Sequence, residues 1–594
     1  MNKVYFVVYF CAVLLSSCAT KVVQEQTIKQ PNVILILTDD QGWGDFSINR
    51  NKVLKTPHFD KMANNGTLLE RFYVSPVCAP TRASLLTGRY HLRTGVSWVT
   101  GGRENMRSEE VTIAEVLKEN GYATGAFGKW HNGAHYPENP QGQGFDTFFG
   151  FTAGHLSNYF DSELEYNGRQ VRTEGYITDV LTNATLSFID QHKDEPFFAF
   201  VPFNAPHTPY QVPDKYYNQF KDIDYGYGEK QNKKIATIYG MCKNIDDNLG
   251  RILDHLKLLK IEENTIVLFL SDNGPQGARF NGVWRGGKTS VHEGGSLVPM
   301  ALQWKGHIPT GTKNALTAHI DVMPTLLALL GIEHDAKHFD GIDIANYILN
   351  KEDKIEDRKL YTHMAGFEIT KDRGAVRNNE YRYTIENGVT GLYNLSIDPS
   401  ENENIKNIFP KKAEEMQLSF DTWYEDVTSA GFADLRIPIG YNESPRTQLA
   451  AHEGVGTGKI KYKANPNGWA HDWFVSTGNA QITWPIEIIS KGEYSMKLFY
   501  TGDASIIGTE IEVSCNNKQL SKVIEKEFIT EEYPTPDRVL REQEAKEQTW
   551  GEIDIGALSF DTTFTSNLSI KIKNKNSNPL EIKGLQITKS NNYK

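Results

Sequence analysis

Four short apolar runs punctuate the first half of the chain, and each closes on polar residues. Residues 33–37 run into Thr38-Asp39-Asp40, and residues 123–127 into Gly128-Lys129-Trp130-His131. Residues 197–203 lead to Asn204-Ala205-Pro206-His207, and residues 266–270 to Ser271-Asp272-Asn273-Gly274. Unbroken apolar runs of this length predict strands buried on both faces, as in a sheet covered by helices. Helical periodicity at 113–119 and 235–259 falls between them, which predicts a doubly wound α/β domain over 31–340. In such sheets ligands bind beyond the carboxyl ends of the strands, where all four polar clusters lie. Over 341–437 the segments shorten and alternate, with one helical stretch at 413–427, predicting a small α+β subdomain. Over 438–594, Ile511-Val513-Cys515, Leu568-Ile570-Ile572 and Leu580-Ile582 alternate with polar residues, the period of half-buried strands. A β-sandwich with Cys515 in its core is predicted there, and only 537–547 keeps a helical period.

At 594 residues the chain is too long for one core, which agrees with several domains. Hydrophobic content of 39% with 23% charged residues is that of an ordinary globular protein. A net charge of −11 excludes general nucleic-acid binding, which needs a basic surface. Residues 1–18 read as an export signal: Lys3, an apolar run over 4–15, then the lipobox-like Leu15-Ser16-Ser17-Cys18. Cleavage before Cys18 and lipidation of its thiol would leave a membrane-anchored lipoprotein, periplasmic or on the cell surface at the outer membrane, with 19–30 as linker. Of five cysteines, Cys242 and Cys515 remain after Cys11, Cys18 and Cys78, and they fall in different predicted domains, so no disulfide framework is indicated.

The strand-end residues have a chemistry of their own. Asp39, Asp40, Asp272 and the amide of Asn273 make an oxygen-rich set suited to Ca²⁺ or Mg²⁺, and no cluster has zinc-ligand spacing. Cys78-Ala79-Pro80-Thr81-Arg82, continued through Leu86-Thr87-Gly88-Arg89, resembles the nucleophile signature of the type I sulfatases, in the alkaline-phosphatase superfamily. Residues 121–131 resemble the second sulfatase signature, with Asn132 where Leu is usual, a departure that could touch substrate. Pro206-His207-Thr208-Pro209, Asp272-Asn273-Gly274 and Gly286-Gly287-Lys288 with Glu293-Gly294-Gly295 resemble further family segments, although Leu297 replaces an Arg and puts local pairing in question. Residues 391–401 resemble the hairpin of the family's C-terminal subdomain.

The resemblance implies an alkaline-phosphatase-like mixed sheet between helices, and a Cys78 oxidised to formylglycine by a formylglycine-generating enzyme or anaerobic maturase. One hydroxyl of the hydrate would attack sulfur in line, and the other would later expel sulfate. It further implies one metal ion held by Asp39, Asp40, residue 78, Asp272 and Asn273. Arg82 and Lys129 would stabilise the diolate and Lys288 would hold the sulfate. His131 would take a proton from the hydrate, and His207, with a pKa near neutral, would donate to the leaving oxygen. His155, Ser157 and Arg285 are candidate substrate ligands, with Arg93, Arg103 and Arg279 as further anion-binding candidates. Trp469, Trp473 and Trp484 could form a sugar-stacking platform, although aromatics in a small sandwich are more often core. The expected substrate is a sulfated polysaccharide or its oligosaccharides, of ulvan or carrageenan type. The alternative is a phosphonate or phosphate monoester hydrolase of the same superfamily.

Overall fold

The computed structural model describes residues 30–590, apart from 367, 433–434, 470, 542 and 575–577. The export signal expected at 1–18, with Cys18, and nearly all of the linker lie outside the described residues. The main sheet contains β1 (Asn32–Thr38), β2 (Thr67–Tyr73), β3 (Ala123–Lys129), β4 (Thr147–Phe151), β5 (Glu163–Tyr166) and β6 (Arg169–Arg172). It also contains β7 (Phe197–Pro202), β8 (Thr265–Ser271), β9 (Leu297–Gln303) and β10 (Gly311–Lys313). Their order is β10-β2-β9-β8-β1-β7-β3-β4-β5-β6, with Thr317–Ala318 also on β2. The central β8-β1-β7-β3-β4 block is parallel, whereas β9 is antiparallel to both neighbours.

All residues of β1, β7 and β8 are buried, and the reason is visible in β1. Ile34 and Ile36 pack into one core, with apolar residues of the helices Ile177–His192 and Glu229–Leu258. Val33, Leu35 and Leu37 enter the opposite core, with residues of Cys78–Thr87, Ile113–Glu119 and Val322–Leu330. A strand serving two cores has no solvent face, so its sequence shows no alternation. The helix from Glu229 begins six residues before the predicted 235, because its first turns, Glu229-Lys230-Gln231-Asn232-Lys233-Lys234, carry no apolar signal.

The next unit is an antiparallel sheet of Leu360–His363, Arg373–Arg377, Tyr381–Glu386 and Val389–Asn394, under the helix Pro410–Val427. It is tied to the main domain by Glu293, whose carboxylate pairs with Arg377 at 2.8 Å and Arg382 at 2.7 Å, all three buried. Leu297 joins the hydrophobic cluster of this junction. Pairing at Glu293 is therefore supplied from the subdomain.

The last unit is a ten-stranded network in which the long strand Phe474–Ile488 pairs with strands of both layers. Trp473 and Trp484 belong to its core, so they form no sugar platform. Each indole N–H is satisfied, by Glu581 at 2.7 Å and by the Ala450 carbonyl at 2.8 Å. Only Trp469 is exposed. Cys515 points into the core as expected. No helix forms among the described residues of 537–547. That stretch follows Pro534 and Pro536 and has too few apolar residues to bury a helical face, and its Arg538 and Glu544 pair with Asp214 and His155 of the catalytic domain.

Behind the helix Cys78–Thr87 lie three buried histidines. His91 and His363 stack with ring centroids 6.0 Å apart, and His319 meets Ser75 at 3.2 Å. Burial pushes their pKa values down to about 3 for His91, about 4 for His363 and about 3 for His319. Unfolded imidazoles protonate near the ordinary 6.5. Between these limits unfolding takes up protons, so stability is full above about pH 6.5 and falls as the pH drops towards 4. The urea midpoint should decrease over that window, and His319→Gln should flatten the decrease. An unchanged slope in the variant would refute the assignment.

Candidate active site

Three strand ends and one helix start converge. Asp39 and Asp40 follow β1, Lys129 ends β3, and Asp272 and Asn273 follow β8. Cys78 opens the fully buried helix Cys78–Thr87. Ligand atoms of Asp39, Cys78 and Asp272 lie within 4.8 Å of one another, as do those of Asp39, Asp40 and His207. The Thr81 hydroxyl donates to the Asp272 carbonyl at 2.6 Å, fastening this helix to the end of β8.

The buried charges are matched one to one. Lys129 Nζ is 2.6 Å from Asp39, Arg82 Nη2 is 2.8 Å from Asp272, and Lys288 Nζ is 2.6 Å from Asp40. Burial would raise the Asp39 pKa, but Lys129, His207, Arg82 and Lys288 outweigh it and hold the carboxyl well below the usual range. Asp272 goes the other way, pushed up by burial and then by the negative charge of Asp39. Three oxygens in this cluster, Asp39 Oδ1, Asp40 Oδ2 and Asn273 Oδ1, are buried without a hydrogen-bond partner. Such groups are costly unless something satisfies them. Three convergent hard oxygens beside paired carboxylates fit a divalent cation such as Ca²⁺ or Mg²⁺.

Asp40 and His131 both hold a positive φ of 67°, a backbone region disfavoured for residues with a Cβ and typical of functional sites. His131 Nε2 lies 2.8 Å from the Val99 carbonyl, so this nitrogen carries the proton and Nδ1 is left as a buried, unpartnered acceptor. The remaining exposure belongs chiefly to His207 and Lys288, whose side chains are 15% and 12% open. They bound the entrance to the cluster.

A family model described as Sulfatase matches residues 31–332, and one described as N-sulphoglucosamine sulphohydrolase, C-terminal, matches residues 286–424. The chain belongs to the sulfatase family. It is 31% identical to the N-acetylgalactosamine-6-sulfatase of Sus scrofa over 393 residues, covering 60% of this chain and 72% of that one. It is 28% identical to the N-acetylgalactosamine-6-O-sulfatase of Bacteroides thetaiotaomicron over 503 residues, covering 68% and 95%. The crystal structure of Ps i-CgsB in complex with k-i-k-neocarrahexaose superposes with a TM-score of 0.62 at 30% identity, over 68% of this chain and 95% of that one. This sulfatase is therefore a sulfuric ester hydrolase, and its α/β core with an antiparallel subdomain is the family's.

Not every residue expected in the sulfatase site faces it. Arg285 donates through Nη1 to the Tyr393 hydroxyl at 3.2 Å and the Glu401 carbonyl at 2.8 Å, so it braces the subdomain. Arg93 is spent on Asp340 and Asp426, and Arg279 on Asp45 with a further bond to the Asp40 carbonyl at 2.7 Å. Arg279 thus positions a metal-site residue from behind. Arg82 gives one Nη to the Lys129 carbonyl at 2.7 Å and the other to Asp272, which makes it a positioning residue as well. Asn132 is fully buried and donates to the Ala79 carbonyl at 3.0 Å, bracing the first turn after Cys78 and making no outward contact. Among the described residues, Arg103 alone of the three further arginines keeps its guanidinium without a partner, in the loop that also carries Val99.

The His155 ring lies 5.6 Å from that of His207, and both His155 and Ser157 have partners that no sequence pattern announced. Their neighbours are Glu544, 3.4 Å from His155 Nε2, and Glu547, which accepts from Ser157 Oγ at 3.2 Å. Glycine at 154 is required by close approach, since a Cβ there would sit 2.0 Å from His131 Nε2. Gly154→Ala should therefore displace His131 and lower kcat by about 10²-fold, the cost of a misplacement near 1 Å. Steady-state kinetics with a matching circular dichroism spectrum would check this, and a rate within twofold of wild type would contradict it.

Proposed function

We propose that this sulfatase removes sulfate esters from a sulfated polysaccharide or its oligosaccharides, of ulvan or carrageenan type. It would work outside the cytoplasm as a lipoprotein held through Cys18, with one Ca²⁺ or Mg²⁺ and with Cys78 converted to formylglycine by a maturing enzyme. The observation that carries the reading is the set of three orphaned oxygens gathered beside residue 78. The carbohydrate class is supported by the relatives named for N-acetylgalactosamine and by the neighbour solved with a carrageenan-type oligosaccharide.

Conversion of residue 78 has its own physical support. Burial raises the Cys78 pKa, and Lys129 and Lys288 do not offset it, so an unmodified side chain would stay a neutral thiol and a poor nucleophile. Formylglycine in its hydrated form supplies the attacking hydroxyl. A divalent ion, when bound, neutralises charge on the sulfuryl oxygens and acidifies that hydroxyl. Three paired carboxylates and cations cancel, so the ion leaves the pocket positive in an acidic protein and able to draw in an anion.

The chain's own groups then divide the work. Lys288, at the opening, holds the sulfate, and Lys129 stabilises charge deep in the pocket. His131, with Nε2–H fixed on Val99, receives a proton at Nδ1. His207 gives one to the departing oxygen. Its pKa in the free site is not the neutral value expected from that role: burial, then Lys288, lowers it to about 4. An arriving sulfate offsets the Lys288 charge and moves it upward.

His207→Ala should lower kcat by about 10²–10⁴-fold, the range for loss of a general acid, with bound metal unchanged by mass spectrometry. A near-wild-type rate would remove His207 from the mechanism. Chelation should abolish turnover, and Ca²⁺ or Mg²⁺ should restore it. On a panel of sulfated oligosaccharides against phosphonate and phosphate monoesters, sulfate release should dominate. Faster phosphonate or phosphate cleavage would overturn the substrate class.

A further inference from the structure

The terminal β-domain is not a distant appendage. The described residues of 529–549 leave it as a strap that lies along the catalytic domain. The Arg538 amide donates to the Tyr210 carbonyl at 3.0 Å, and its guanidinium pairs with Asp214 and donates to the Val212 carbonyl. Gln211 donates to Asp537 at 2.7 Å, Asn158 to the Pro534 carbonyl at 3.2 Å, and Arg172 stacks 3.8 Å over the Tyr533 ring. Between this strap and the loop bearing His207 lies a cleft of about 610 Å³, lined among others by Thr208, Tyr210, Gln276, Arg541 and Glu544. The two family models end well before the strap, at residues 332 and 424.

Glu544 stands at the inner end of this wall. Its Oε2 is 3.4 Å from His155 Nε2, and the His155 ring is 5.6 Å from that of His207, which in turn lies 3.9 Å from Asp40. Glu544 Oε2 and His155 Nε2 are both buried without a hydrogen bond, and Arg541, at 3.8 Å, is itself bonded to Asp537. A carboxylate oxygen accepts only, and a ring N–H donates, so the pair presents one acceptor and one donor to the same point. A sugar hydroxyl satisfies both at once. A sulfate ester has no proton to give and would meet the carboxylate as a like charge.

We propose that Glu544, delivered by the β-domain strap, is a specificity residue. Together with His155 it binds a free hydroxyl next to the scissile sulfate and rejects a second sulfate at that position. This rests on the carbohydrate reading above. The discrimination follows from rejection by the Glu544 carboxylate as much as from attraction, and sites built to bond a hydroxyl discriminate strongly.

The test compares kcat/KM on hexose and N-acetylhexosamine monosulfates with their vicinally disulfated counterparts, using 4-nitrophenyl sulfate as reference. The wild type should prefer monosulfated sugars. Glu544→Gln should shrink that preference by about tenfold or more, the scale of a lost charged hydrogen bond. Glu544→Asp, which keeps the charge, should hold the preference closer to wild type than the Gln variant does. A purely structural role would lower both activities together and leave their ratio fixed. An unchanged ratio in Glu544→Gln, or a wild type that prefers disulfated sugars, overturns the inference alone. Turnover of 4-nitrophenyl sulfate with none on any saccharide overturns the carbohydrate reading, and this inference with it.

Discussion

Three buried carboxylates held against two buried cations and the half-buried Lys288 are the constraint on which the rest of the structure depends. Asp39 with Lys129, Asp272 with Arg82 and Asp40 with Lys288 bring the ends of β1, β3 and β8 and the Cys78 helix to one point. Removing a member of either of the first two pairs would leave its partner charged and dry, at a cost of about 3–5 kcal/mol. Each pair also uses only part of its carboxylate. The oxygens left over on Asp39 and Asp40, with that of Asn273, are what a cation can use. Structure and chemistry are thus made from the same residues.

Around this cluster the protein spends most of its arginines on position. Arg82 and Arg279, both buried, bond carbonyls and carboxylates of elements that carry site residues, and Arg285 bonds the subdomain. A guanidinium has five donors in a rigid fork, so one side chain can fix two elements at once. That leaves the entrance to Lys288 and His207, the groups whose charge or proton must reach a ligand. Across the cleft the wall is acidic: Glu544 and Glu547 come from the β-domain and meet His155 and Ser157.

Much of the catalytic part was legible in the chain. The unbroken apolar runs marked strands buried on both sides, and the polar residues at their ends marked the site. These signals are local: a run of five apolar residues and the acid that follows it need no partner to be seen. The nucleophile signature around Cys78 fixed the residue about which the others gather. Contacts made over long sequence distances were less visible. Arg285 lies among glycines and lysine in a family segment and reads as an anion ligand, yet Tyr393 and Glu401, more than a hundred residues away, take it up. Asn132 looked exposed to substrate beside His131, yet it faces inward to Ala79.

The stretch 537–547 shows the same limit most plainly. Its charges fall at helical spacing, but an isolated charged helix has no apolar face to bury, and tertiary ion pairs outbid it. By itself the sequence determined the central strands, the polar cluster at their ends and the sulfatase-like motif around Cys78, because each depends on residues close together in the chain. Only the tertiary structure decided which arginines are taken up by other elements, where His131 directs its lone pair, and that Glu544, more than three hundred residues away, lines the cleft beside the His207 loop. Those outcomes depend on which charged groups are brought together and dried, and folding alone settles that.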